Sequence, residues 1–244
     1  LRCPWCSNPE SIHGYSELYY IKSKCIGCGE CIKVCSNQCI KLTSEGIKID
    51  REKCNRCFSC VEACPTTALI KKGEKYTIQQ VLDEVLKDKD FYESSGGGVT
   101  LSGGEVLMQH EFAAQLLKEL KSRDINTAIE TSGFGSIEAL EKLTSLCDLI
   151  MFDIKHANSK KHREIVGQPN EVIIDNLKYL VDIKVSLIVR LPMIPHYNMD
   201  EKSIDELLKL LVPLDVTVEP LLFHQLGKNK YSSLGRDYAL GNET

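Results

Sequence analysis

The sequence predicts an α/β protein, a partial (β/α) barrel carrying a small cysteine-rich α+β insert near its start. Three observations carry this expectation. From about Lys72 onward, short β-branched runs alternate with amphipathic helical patterns, as parallel strands joined by helical crossovers do. Eleven of the 12 cysteines fall between Cys3 and Cys64, leaving only Cys147 beyond them. The strand-like runs are too few to close an eight-stranded barrel. Three segments follow: residues 1–23, a cysteine loop at the barrel start; 24–72, the insert; and 73–244, the remainder of the barrel.

Each element has a local reason. Thr77 with Gln80 reads as a capping box, opening a helix that places Ile78, Val81, Leu82, Val85 and Leu86 on one face. Gly98–Ser102 is a short β-branched strand ending in Gly103-Gly104-Glu105, and Phe112, Leu116, Leu117 and Leu120 mark the next helix. Strand Thr127–Thr131, helix Ile137–Leu146 and strand Leu149–Asp153 continue the alternation, with later strands at Val185–Arg190 and Val216–Glu219. In such folds chemistry collects at the C-terminal strand ends. Polar residues stand there: Glu105, then Glu130 and Thr131, then Asp153 and Lys155, then Arg190, then His224. Any one of them alone also reads as a cap or loop residue.

A formal net charge of -4 argues against a nucleic-acid partner held by a basic surface. No apolar run reaches membrane-spanning length, and the start lacks a signal-peptide core, so a cytoplasmic protein without a membrane partner is expected. Cysteines crowded at two-residue gaps in a chain of this size favour metal over disulfides.

Cys25, Cys28, Cys31 and Cys35 have the C-x2-C-x2-C-x3-C spacing, and Cys54, Cys57, Cys60 and Cys64 repeat it before Pro65. In this spacing three thiolates converge on one cubane and the fourth points toward the other. Cys25, Cys28, Cys31 and Cys64 are thereby expected on one [4Fe–4S] cluster, and Cys54, Cys57, Cys60 and Cys35 on a second. The run resembles the bacterial two-cluster ferredoxin module. Ser36 replaces the proline that follows Cys64 in the other copy, and Cys39 is either a rival of Cys35 or a spare buried thiol. Zinc accepts paired CxxC but has no use for a trailing fourth cysteine.

Upstream stands Cys3-Pro4-Trp5-Cys6, which looks like the tail of the radical S-adenosylmethionine (SAM) motif C-x3-C-x-aromatic-C, with Trp5 in the aromatic place. The first cysteine of that motif would precede Leu1, so the chain is expected to be truncated and its third cluster short of a ligand. On this expectation the fragment cleaves SAM poorly or not at all. The stretches CPWCSNPES, GVTLSGGEVL, ETSGF, IMFDIK and LLFHQLGKNKYSSLG together resemble the glycyl radical enzyme activases along almost the whole chain.

That resemblance implies a radical SAM barrel with a ferredoxin-like insert and assigns roles. Gly103, Gly104 and Glu105 would take the amino group of SAM; Asp153 and Lys155, with Glu130 and Thr131, would lie near it, as would Arg190 and His224. A monovalent cation between Glu130 and Asp153 is an open question, since some relatives carry Asp where Glu130 stands. Cys3 and Cys6 would hold the cluster that cleaves SAM reductively, and the radical formed would take a hydrogen from a backbone glycine of a partner enzyme. The partners implied are a glycyl radical enzyme and a flavodoxin or ferredoxin electron donor, with a monomeric enzyme in an anaerobic cytoplasm. Two other readings compete: a radical SAM enzyme acting on a small molecule, and an electron-transfer protein of ferredoxin type.

Overall fold

The computed structural model describes residues 1–241. It contains two compact units, one of Pro4–Lys75 with the segment from Gln225 on, the other of Leu1–Cys3 with Tyr76–His224.

The first unit is wider than the 24–72 segment because strand pairing pulls in its upstream neighbour. β1 (Glu17–Tyr20) lies antiparallel to β4 (Leu69–Lys72), while β2 (Ile40–Thr43) and β3 (Gly46–Ile49) form a hairpin. The cysteine repeat is also a backbone repeat. Positive φ recurs at Gly27 and Arg56, at Gly29 and Phe58, and at Gln38 and Thr67, each pair at the same offset from the first cysteine of its copy. Gly29 and Phe58 in the left-handed region each launch a one-turn helix, Glu30–Lys33 and Ser59–Glu62, that carries the third cysteine inward. Cys31 and Cys60 are accordingly buried with Leu18, Ile40, Ile47 and Leu69, while Cys28 and Cys57 stay exposed.

The second unit is built on five parallel strands: β5 (Gly98–Leu101), β6 (Asn126–Thr131), β7 (Leu149–Asp153), β8 (Leu187–Met193) and β9 (Thr217–Leu222), in sequential order. Helices 110–121, 137–144, 159–166, 171–182 and 201–211 occupy the connections. Their starts are fixed by the residues the sequence supplies. The Thr77 capping box forms in both directions, and Ser136, Asn158 and Asp200 each accept from a backbone N–H three residues on. Strand period two then sorts the sheet. Ile129, Ile150, Phe152 and Val189 face the helices and are buried with Leu117, Leu140, Leu143, Leu177 and Leu180. Burying each of these side chains is worth about 1.5–3 kcal/mol. Leu82, Val99, Leu116, Leu120 and Ile125 form a second cluster under the helix at Ile78–Val85.

The alternate residues necessarily share the opposite face. Glu130 is registered beside Met151, Asp153 beside Arg190, and Arg190 beside Glu219. The pattern that builds the core therefore gathers the charged strand ends on one side. β8 runs past the expected end at Arg190 to Met193, with Pro192 accepted inside it, and β9 reaches Leu222. Among the described residues no helix is long and apolar enough to cross a membrane.

Candidate active site

At the ends of β6, β7 and β8, one guanidinium joins two carboxylates. Arg190 donates from Nε to Asp153 Oδ1 at 3.0 Å and from Nη1 to Glu130 Oε1 at 2.8 Å. Lys155 Nζ donates to the other Asp153 oxygen at 3.2 Å, and the Ser102 hydroxyl at the end of β5 donates to Glu130 Oε2. Formal charges cancel across the four ionic groups. Arg190 is held above its ordinary pKa by Glu130 and Asp153, which overcome the opposing cost of burial.

Glu105 performs a different task. Its Oε1 accepts from the Thr131 hydroxyl at 2.5 Å and from Leu107 N–H at 3.2 Å, and its Oε2 accepts from Ser132 N–H at 2.9 Å and from the Ser132 hydroxyl. One carboxylate thus caps the turn after β5 and ties it to the end of β6. Gly103 has φ +111 with open space where a Cβ would point, so the backbone conformation demands glycine and leaves its outer face clear. His224 lies exposed two residues beyond β9.

Several participants escaped the sequence reading. Asn176 donates to the carbonyls of Gly133 and Gly135 at 2.8 and 3.1 Å, fixing the turn that presents Thr131 and Ser132. Its signal was a polar residue on the apolar stripe of Ile173, Leu177 and Leu180. Asn198 bonds the carbonyls of Lys155 and Pro192 at 3.0 and 2.7 Å and so anchors the segment after Asp153. Ser102 and Ser132 stand beside motif residues, and their hydroxyls bond Glu130 and Glu105.

A Ser–His–Asp contact elsewhere in this unit carries no nucleophilic chemistry. His156 Nδ1 accepts from Asn158 N–H, so Nε2 bears the proton and donates to Ser203 Oγ at 3.2 Å. Ser203 Oγ also accepts from Lys161 and donates to Asp200, which caps the same helix. The imidazole faces the serine as a donor, the reverse of a general base.

In the other unit, Cys25, Cys28, Cys31 and Cys64 wall one hollow, and Cys35, Cys39, Cys54, Cys57 and Cys60 wall another. Among the described residues no three His, Cys, Asp or Glu side chains converge on a point fit for a single ion. Burial and the neighbouring thiols push Cys31 upward in the first hollow and Cys60 to about 11 in the second. Cys39 is buried, lies 3.3 Å from Cys35 Sγ, and is pushed up to about 12 by burial and by Cys35 and Cys54.

Residues 1–210 match the radical SAM superfamily. The chain belongs to that superfamily. It is 40% identical to the isethionate sulfite-lyase activating enzyme of Oleidesulfovibrio alaskensis, covering 99% of this chain and 80% of that protein. Identity is 37% with the choline trimethylamine-lyase activating enzyme of the same organism, over 98% of this chain and 80% of that one. The pyruvate formate-lyase 2-activating enzyme of Escherichia coli is 35% identical, over 98% and 73%. Within the superfamily the chain therefore falls among the activating enzymes of glycyl radical enzymes. Its fold is also that of Streptococcus suis SuiB bound to precursor peptide SuiA, at TM-score 0.52 and 16% identity, over 63% of this chain and 34% of that one. The superfamily implies a [4Fe–4S] cluster and SAM.

Proposed function

We propose that this activating enzyme binds SAM at the strand ends of its parallel sheet and uses Cys3 and Cys6, with Trp5 between them, to hold the cluster that cleaves it. The observation that carries the reading is the Glu130–Arg190–Asp153–Lys155 array, because it is prearranged and electrically balanced at the catalytic end of the sheet. When bound, the reduced cluster supplies one electron to SAM, and the carbon radical released takes a hydrogen from a backbone glycine of the partner enzyme. The protein's task is orientation. Gly103 leaves room for close approach, Gly104 adds no side chain beside it, and Glu105 offers its carboxylate to the ammonium group after the Ser132 hydroxyl turns aside. Thr131 steadies Glu105, while Arg190, Lys155 and His224 supply donors for the remaining polar groups.

The 24–72 segment acts, in this reading, as a ferredoxin-like relay. Cys25, Cys28, Cys31 and Cys64 hold one [4Fe–4S] cluster, and Cys54, Cys57, Cys60 and Cys35 the other. The exposed Cys28 and Cys57 edges give a flavodoxin or ferredoxin donor access. The protein substrate is a glycyl radical enzyme, with isethionate sulfite-lyase and choline trimethylamine-lyase as the first to try, given the relatives above. The test is anaerobic reconstitution of the full-length protein, reduction, and addition of SAM with each candidate. A glycyl radical signal with matched 5′-deoxyadenosine supports the proposal. SAM cleavage with no protein radical on any candidate turns it toward a small-molecule substrate.

A further inference from the structure

The segment from Gly227 to Arg236 lies beyond the residues that match the radical SAM family, yet its side chains grip the loop that carries Cys6. Gly227 is buried, and a Cβ there would stand 2.8 Å from Ser7 Cα and 3.1 Å from the Cys6 carbonyl oxygen. Its φ is an ordinary -78°, so the close approach alone demands glycine. The helix Lys228–Ser233 follows at once. From it Tyr231 donates its hydroxyl to the Cys6 carbonyl at 3.1 Å, and Lys230 reaches Asn8 Oδ1 at 2.8 Å and Glu10 Oε1 at 2.9 Å. Arg236 donates to the Pro9 carbonyl and to Glu17 Oε1, both at 2.6 Å. Tyr231 is itself fixed, being 6% exposed and packed edge-on against Tyr238 at 5.0 Å. Arg51 secures the far end of the helix through the Ser233 carbonyl at 3.0 Å.

We infer that this C-terminal segment is a clamp for the Cys6–Glu10 loop, with Gly227, Lys230, Tyr231 and Arg236 as positioning residues for a cluster ligand. This rests on the reading of Cys6 as a ligand of the SAM-cleaving cluster. Short loops on CxxC motifs have few contacts of their own, and a ligand must be held to within a few tenths of an ångström to keep its geometry. Backbone carbonyls are the firmest handles on such a loop, and the clamp takes those of Cys6 and Pro9. The Lys230 ammonium balances the Glu10 carboxylate within the loop, so its removal would leave unpaired negative charge beside Cys6, which disfavours the reduced cluster.

The experiment uses the full-length protein with Tyr231→Phe, Lys230→Met and the conservative Lys230→Arg. In cluster-free protein, alkylation of Cys6 followed by mass spectrometry is expected to quicken several-fold in Tyr231→Phe and Lys230→Met, with Cys25 and Cys54 unchanged and Lys230→Arg near the parent. In reconstituted protein, Lys230→Met is expected to make the cluster that responds to SAM harder to reduce, and to lower the rate of 5′-deoxyadenosine formation more than it raises the KM for SAM. An unchanged Cys6 alkylation rate in both variants overturns the clamp. Equal acceleration at Cys25 and Cys54 overturns it as well, since the segment would then serve general stability. If Cys6→Ala keeps the SAM-responsive electron paramagnetic resonance signal, Cys6 is not a ligand and the inference falls with that reading, whatever the alkylation shows.

Discussion

Gly133, in the turn after β6, offers a quantitative test of how the sheet positions its charged ends. Its φ is +69, and a Cβ there would come within 2.6 Å of Phe152 Cε2 and closer still to Cζ. Phe152 is fully buried and immediately precedes Asp153, so the ring has nowhere to go without moving the strand that carries the acid. Gly167 is the matched control, with φ +85 and nothing within 4 Å of its would-be Cβ. Forcing alanine to positive φ costs about 1–2 kcal/mol, and the stiffer unfolded chain returns about 0.4–1 kcal/mol of it. Gly167→Ala should therefore lose about 1 kcal/mol. Overpacking against a fixed ring adds about 1–3 kcal/mol, so Gly133→Ala should lose about 2–4 kcal/mol. Urea unfolding of both variants measures the difference. Repeating Gly133→Ala in a Phe152→Leu background, where Cζ is gone, should bring its added penalty down toward the Gly167 value. An equal loss at the two glycines, or an undiminished loss beside Leu, would refute the packing argument.

Other expectations are simpler. Arg190→Met leaves Glu130 and Asp153, with side chains 30% and 21% exposed, facing each other with one cation removed. The loss should be about 2–3 kcal/mol, below the fully buried figure because the carboxylates keep some solvent, and SAM-dependent 5′-deoxyadenosine should fall at least tenfold. Burial holds His156 and His162 below their ordinary 6.5, with Lys161 adding to the effect at His156. The unfolded chain then takes up protons that the folded chain refuses, so stability should be whole above that value and decline as pH falls through it. Urea midpoints of cluster-free protein at two pH values should show the decline, and His156→Gln should flatten part of it. With Cys35 as the proposed cluster ligand, Cys39→Ala should leave iron and sulfide content unchanged while Cys35→Ala lowers both; the reverse pattern would make Cys39 the ligand.

What the sequence disclosed and what it hid have one physical cause. Glu130, Asp153 and Arg190 could be placed at strand ends from local pattern alone, because the apolar alternation of Ile129, Ile150, Phe152 and Val189 fixes the strands and strand period fixes the face. That Arg190 bridges both acids depends on register between neighbouring strands, a non-local quantity that no window contains. The same holds for Glu219, which register sets beside Arg190 although its own run gave only a strand. The cysteine repeat was legible to the residue, because C-x2-C spacing is local and so is the left-handed backbone at Gly29 and Phe58. Arg51 bonding the Ser233 carbonyl, and Tyr231 bonding that of Cys6, join points about 180 and 225 residues apart in sequence. Such contacts leave traces only in residues whose local role is unexplained: Gly227 where φ does not require glycine, and Asn176 on an apolar stripe. Residues that break a local rule without a local reason are therefore where this chain's long-range architecture is written.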